Sequence, residues 1–338
     1  MHVVAATGRD DLARVYIARA GPGRHVEFVE SLQPPLPREK KWVLVVSCLF
    51  GCPFSCRMCD AGGKYQGKLS REEIDFQIDY PVKKRFPNGV IPCEKFKIQF
   101  ARMGEPALNP AVLEAIAALP GRLKAPGLIV SLSTIAPAGC GEFFQRLLEV
   151  KESFRPGAFQ FQFSLHSSDE QKRRELIPAP TWSFAEMAAY GRRFFRSGDR
   201  KVTLNFALAE GYPLDAGALL SWFDPACFLV KITPVNPTVR ARENGLRPVF
   251  DGKRRDGETA ERLRRAGYEV IVSIGELEEN AIGSNCGQFV RSFLARGADA
   301  RPGESYSYDL EALAAGDGCL FPGDVASVKV TGRLDSSQ

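Results

Sequence analysis

Cys52-Pro53-Phe54-Ser55-Cys56-Arg57-Met58-Cys59 is the stretch on which the fold turns. Three cysteines stand with three and then two residues between them, directly after the apolar run Val43-Leu44-Val45-Val46. Thiolates at that spacing on a short loop can each hold one iron of a 4Fe-4S cluster, which leaves the fourth iron open to a ligand. A structural zinc knuckle and inert buried thiols are the bland alternatives. Structural zinc usually takes four ligands as two pairs, and no second pair is spaced to match. The setting, a strand, then the loop, then a helix, also favours the cluster.

Outward from the loop, Ser70 stands three residues before Glu73. That is a capping-box spacing, and it predicts a helix over 71–80 that ends before Pro81. Strands are expected at 42–47, 95–100, 127–134, 158–165, 201–207 and 228–233, with helices between them at 111–119, 142–150, 184–195 and 214–223. This alternation argues an α/β fold with a parallel sheet and right-handed crossovers. Six such units predict an open, six-stranded partial barrel, a partial (β/α)6 barrel, with its active groups at the C-terminal strand ends. Residues 14–19 and 25–29 alternate polar and apolar around Gly21-Pro22-Gly23, which predicts a small N-terminal β-hairpin. Residues 234–251 read as a loop, 258–266 as a helix, 269–273 as a strand, 286–294 as a short helix and 326–331 as a late strand. The expected organisation is an N-terminal extension with the hairpin (1–40), a core barrel (41–294) and a C-terminal tail or extension (295–338).

Composition sets the class. A hydrophobic content of 44% and a charged content of 25% are those of a soluble globular protein. No apolar run approaches a membrane span, and the N-terminus lacks a signal-peptide pattern, so no membrane association is expected. Nine cysteines that include a clustered triplet suit a reducing compartment, so the expected localisation is cytoplasmic. A net charge of +5 permits nucleic acid or an acidic substrate and demands neither.

The cysteine loop resembles the radical S-adenosylmethionine superfamily. With Gly51, Gly62-Gly63 and Leu69-Ser70-Arg71-Glu72-Glu73-Ile74 added, the chain resembles the RlmN/Cfr family of ribosomal-RNA adenine methyltransferases over roughly residues 14–293. The resemblance implies a radical S-adenosylmethionine barrel, with Cys52, Cys56 and Cys59 as ligands of a 4Fe-4S cluster and S-adenosylmethionine as second cofactor. Gly104 and Glu105 of Met103-Gly104-Glu105-Pro106 match the element that binds the amino group of the cofactor. Ser133, before Thr134, matches a Ser-Thr element; Ser164 and His166 match Ser-Leu-His; Asn236, in Pro234-Val235-Asn236-Pro237, matches Pro-x-Asn-Pro. These elements contact the methionine and ribose parts of the cofactor in that family. Each would singly read as a strand-end hydrogen bond, and His166 as a satisfied structural histidine.

Asn285-Cys286-Gly287-Gln288 matches the family's Ala-Cys-Gly-Gln apart from Asn285. In that family this cysteine receives a methyl group, and the methyl carbon, made a radical, adds to adenine. Cys286 is therefore the implied methyl carrier, and a small buried thiol is the alternative. Glu27, in Val26-Glu27-Phe28-Val29, aligns with a glutamate proposed to shuttle protons, or is a solvated charge on a strand.

Two departures bear on substrate. The family's second catalytic cysteine lies seven residues before the first cluster cysteine, where this chain has Val45. Cys48 is three residues on, and an odd shift along a strand reverses the side-chain direction, so Cys48 does not replace it without a bend. Only about forty residues precede the barrel, against an RNA-gripping helical domain in the family's ribosomal members. The expected function is a radical methyltransferase acting on an unreactive carbon, with an RNA adenine as one acceptor. The alternatives are a radical enzyme acting on a small molecule or peptide, or a non-catalytic iron–sulfur protein that binds RNA. An electron donor such as flavodoxin or ferredoxin is the implied protein partner.

Overall fold

The computed structural model describes residues 1–249, 257–273, 279, 282–284, 290, 293–294 and 311–312. Six strands follow one another along the expected positions: β4 (Trp42–Val46), β5 (Phe96–Phe100), β6 (Leu128–Thr134), β7 (Phe159–Ser164), β8 (Val202–Leu208) and β9 (Phe228–Pro234). Each pairs in parallel with the next, and β10 (Glu269–Val272) joins β9 in parallel as a seventh. Before them β1 (His2–Arg9), β2 (Ala13–Gly21) and β3 (Arg24–Ser31) form an antiparallel meander that pairs with β4, and β11 (Glu311–Ala312) pairs with β1. The order across the sheet is β10-β9-β8-β7-β6-β5-β4-β3-β2-β1-β11.

Strand alternation decides which face becomes the site. β7 reads Phe-Gln-Phe-Gln-Phe-Ser, and successive side chains on a strand point to opposite faces. Phe159, Phe161 and Phe163 are buried in the core, where Phe161 stacks on Phe194 of α5 (Phe184–Phe194) at 4.8 Å. Gln160 and Gln162 point the other way, into the barrel. β5 follows the same rule: Phe96, Ile98 and Phe100 are buried, while Lys97 and Gln99 line the interior. The helices α2 (Ala111–Arg122) and α3 (Gly141–Lys151) present Ile116, Leu119, Phe144 and Leu147 to the same core.

Helix α1 (Arg71–Arg85) starts on the expected capping box, with Ser70 and Glu73 satisfying each other's backbone N–H groups. It does not end before Pro81 but runs through it, although proline removes a helical hydrogen bond. Tertiary contacts hold the last turn. Pro81 and Val82 are buried, and Arg85 reaches the buried carboxylate of Glu30 on β3 at 2.7 Å. Tyr16 (2.5 Å) and Trp42 (3.2 Å) donate to the same carboxylate, so one acidic group joins the N-terminal strands, α1 and β4.

Further differences have local causes. The expected hairpin has a strand, β1, before it. Its alternation is broken by a bulge between Val3 and Ala5 and by Gly8 at φ +104°, so no period-two pattern shows. Helix α4 (Glu170–Leu176) reads as a charge run with no apolar period, yet Asp169 caps it by accepting from Gln171 and Lys172 N–H. The expected loop after β9 holds a short helix, α7 (Val239–Glu243), capped by Thr238. Helix α6 (Ala216–Leu220) is shorter than expected, and α8 (Gly257–Arg265) precedes β10. Most of the expected helix at 286–294 and the whole strand at 326–331 lie outside the described residues.

Candidate active site

The barrel interior opens into one cleft of about 1190 Å³. Cys52, Cys56 and Cys59 line it from the loop after β4. That loop folds tightly back on itself. Cys59 N–H donates to Cys56 O at 3.1 Å, and Gly63 N–H to Cys52 O at 3.0 Å. Two glycines make the fold-back possible: a Cβ on Gly51 would sit 2.1 Å from Lys64 O, and one on Gly62 2.6 Å from Phe54 O. Three contacts lock the loop to the chain after β9. Thr238 Oγ1 donates to Met58 O (2.8 Å), Arg57 Nε donates to Asn244 Oδ1 (3.1 Å), and the buried Asp60 carboxylate accepts from Val239 and Arg240 N–H. Asp60 and Thr238 carried no motif in the sequence, and only their partners reveal them.

The donor chemistry fits an iron–sulfur cluster better than a single ion. Among the described residues no three His, Cys, Asp or Glu side chains converge on one metal position. Three separated thiols on one cleft wall suit a cluster, in which each sulfur takes its own iron. Burial pushes the Cys52 thiol up to about 11, and burial followed by Cys59 and Cys52 pushes Cys56 higher still. Ionising them requires positive charge beside them, which bound iron would bring.

Gly104, Glu105, Ser133 and Ser164 line the same cleft, as do His166 and Asn236. Gly104 has φ +87°, and a Cβ there would lie 2.4 Å from the Leu49 side chain. Its need for glycine thus comes from backbone conformation and from packing against Leu49. The Glu105 carboxylate is buried and accepts from Ala107 N–H (3.0 Å), Ile135 N–H (2.9 Å) and the Thr134 hydroxyl. A carboxylate has about four acceptor positions, so one remains for an ammonium group. Burial raises the Glu105 pKa foremost, and the Thr134 hydrogen bond opposes it.

Ser133 Oγ accepts from Gln162 Nε2 at 3.1 Å. His166 sits at φ +65°, a strained position for a non-glycine residue. Its Nδ1 accepts the Ala207 N–H at 3.0 Å, and burial, then Arg173, holds its pKa down at about 3. The ring is therefore neutral, and its proton sits on Nε2.

Glu27 is not the solvated charge weighed from the sequence. It is fully buried on β3 and is not among the residues that line the cleft. Its carboxylate pairs with Arg102 Nη2 at 2.7 Å and accepts the Val290 N–H at 2.8 Å. Arg102, just beyond β5, donates in turn to Ser284 O at 2.9 Å and to Gly283 O. The pair therefore grips residues 284 and 290, on either side of Cys286. Cys286 itself lies outside the described residues. Arg102 carries no motif in the sequence; its one signal there is a charge at the end of a buried strand.

Val45 lines the cleft, whereas Cys48 is fully buried in the core, as the parity argument requires. Among the described residues no cysteine besides the triplet lines the cleft, since Cys93, Cys140 and Cys227 lie elsewhere. Among the described residues no helix is long and apolar enough to cross a membrane.

The chain is similar to several known proteins. No family model matches it. A probable dual-specificity RNA methyltransferase RlmN of Synechococcus sp. (strain RCC307) is 30% identical over 266 residues, which is 76% of this chain and 71% of the relative. The protein of the same name in Parafrankia sp. is 30% identical over 299 residues, 81% of this chain and 71% of its own. The one in Thermus thermophilus is 29% identical over 261 residues, 75% and 68% respectively. A solved radical SAM methyltransferase from Sphaerobacter thermophilus shares the fold at a TM-score of 0.66 and 22% identity, covering 85% of this chain and 80% of its own.

Proposed function

The chain belongs to the RlmN-like family of radical S-adenosylmethionine methyltransferases, and from that premise we propose that it methylates an unreactive ring carbon, an adenine of RNA, with Cys286 as methyl carrier. The observation that carries the reading is the convergence at one cleft. Three thiols, Glu105, Ser133, Ser164, His166 and Asn236 line it, and the Glu27–Arg102 pair ties both flanks of Cys286 to its wall. The names of the relatives support RNA as acceptor.

The cluster, held by Cys52, Cys56 and Cys59, would supply one-electron reduction of S-adenosylmethionine, with the electron from a donor such as flavodoxin or ferredoxin. The residues of the chain do the rest. Glu105 offers its remaining lone pair to the amino group of the cofactor. Neutral His166, pinned by Ala207 N–H, turns Nε2–H toward the cleft as a donor that keeps its proton at physiological pH. Cys286 would take the methyl on Sγ as a thioether, losing its thiol proton as S-adenosylhomocysteine leaves; after loss of one hydrogen atom that carbon would bond to the ring, and its bond to Sγ would then have to break. Glu27, buried beside Arg102, fixes the carrier segment rather than facing the cleft, so its role is one of positioning.

A small-molecule acceptor is a second reading, favoured by one observation: the cleft continues below the mouth to a floor lined by lysines. Mass analysis of ribosomal and transfer RNA from cells with and without the gene separates the two. An adenine methyl mark lost on deletion establishes RNA as acceptor, and identical RNA in both strains removes that reading.

A further inference from the structure

Helix α4 reads in the sequence as a charge run, yet one of its charges is not on the surface. Arg173 is 3% exposed. Burying a cation is costly unless its donors find acceptors and negative charge faces it. Arg173 Nη1 donates to the Thr181 hydroxyl at 2.6 Å, and Nη2 donates to Ile135 O at 2.7 Å, with Ser164 O at 3.5 Å. All three acceptors are neutral oxygens, so the guanidinium keeps its field.

That field is aimed at the cofactor cleft. Ile135 and Ser164 line the cleft, and Arg173 holds both from behind. The other end of the Ile135 backbone faces Glu105, whose carboxylate accepts Ile135 N–H at 2.9 Å. Helix α4 also rests on the cysteine loop. Leu176 O, one turn beyond Arg173, accepts Arg57 N–H at 2.8 Å, and Arg57 adjoins Cys56. One guanidinium therefore backs both the Glu105 carboxylate and the loop that carries the thiols. Burial lowers the Arg173 pKa to about 10, and the charges of Cys56, Glu170 and Glu105 oppose burial in that order. The group is a cation at physiological pH.

We propose that Arg173 is a positioning residue of the cofactor site: it ties the ends of β6 and β7 together and supplies buried positive charge that favours reduction of the cluster held by Cys52, Cys56 and Cys59. Reduction adds one electron from the donor protein, and hence one negative charge, and moves no proton. A nearby buried cation favours the more negative state and so raises the reduction potential. Salt and water screen such a charge far less behind the cleft wall than at the surface. The proposal rests on the cluster reading and is independent of which acceptor is methylated.

Redox titration of the cluster-loaded full chain with dithionite, followed by electron paramagnetic resonance of the reduced cluster, tests this without turnover. Arg173→Gln and Arg173→Met, which remove the charge, should shift the midpoint to more negative potential. Arg173→Lys, which keeps the charge, should stay near the parent protein. Arg174→Gln, which removes a 63% exposed charge from the same helix, should leave the midpoint unmoved. Circular dichroism and iron content matching the parent show that a variant is folded and loaded. Neutral variants that fold without taking up iron, where Arg173→Lys loads fully, also support the proposal, because the thiolates then lack their counter-charge. A midpoint indifferent to both neutral variants, or shifted equally in Arg173→Lys, overturns it. So does a fold or an iron content lost in all three variants, since Arg173 would then be only a structural tie. A parent protein that takes up no iron overturns the cluster reading itself, and this proposal with it.

Discussion

Replacing Arg102 by glutamine should loosen the carrier segment through a charge left behind. Arg102 is 3% exposed and Glu27 0%, with 2.7 Å between their charged groups. Removing one partner of a buried pair leaves the other uncompensated, at a cost of about 3–5 kcal/mol. Removing both charges in Glu27→Gln/Arg102→Gln leaves two neutral amides, so the double variant should be more stable than Arg102→Gln alone. The expected coupling is about 1–3 kcal/mol. Burial already raises the Glu27 pKa above its ordinary value, and loss of Arg102 raises it further. Between the ordinary glutamate pKa and that raised value, the folded chain holds a proton that the unfolded chain has released. Stability from this group therefore falls as pH rises through that window. The Arg102→Gln deficit should accordingly shrink as pH is lowered through that window, where the buried carboxyl takes up its proton. Urea denaturation of the four proteins of the cycle at pH 5 and pH 7.5 measures it. Hydrogen exchange across 284–290 reports whether the segment lets go before the barrel does. Additive losses, or a double variant less stable than Arg102→Gln at pH 7.5, would refute the reasoning.

Three other perturbations bear on the cleft. Cys52→Ala/Cys56→Ala/Cys59→Ala should abolish iron and sulfide uptake on anaerobic reconstitution, and retained brown absorbance would remove the triplet as cluster ligands. Glu105→Gln should weaken S-adenosylmethionine binding in equilibrium dialysis about tenfold with iron content intact, since its acceptor position is lost; unchanged affinity would leave Glu105 as only the cap of the turn Pro106–Leu108. Lys97→Met should stabilise the protein in phosphate-free buffer at pH 7 by about 2–4 kcal/mol, because the folded amine near 7 is proton-poor relative to an unfolded lysine at 10.5. Wild-type stability from this group rises with pH between those values, so the gain should fade by pH 10, and a pH-independent gain in thermal denaturation would contradict it.

The parallel sheet was legible because each barrel strand stands as a short apolar or alternating run between helical periods. The lining of the cleft was legible where residue type and order agree, as for Cys52, Cys56 and Cys59 on a glycine-flanked loop. Tertiary terms hid the rest. Pro81 reads as a helix end, and only the contact of Arg85 with Glu30 shows why the helix continues. Glu27 on a strand reads as solvated until its partner, 75 residues on, is brought beside it. Lys97 was visible as the inward member of Phe-Lys-Ile-Gln-Phe, but which face was the cleft depended on where the helices packed.

The central claim is that Cys286 carries the methyl group. The most direct measurement is peptide mass spectrometry of the cluster-loaded protein after incubation with a reductant and methyl-labelled S-adenosylmethionine. The account predicts the label as a thioether on the peptide containing Cys286, with no transfer in Cys286→Ala although its iron is retained. An unlabelled Cys286 in an enzyme that still transfers methyl, or transfer by Cys286→Ala, would contradict it.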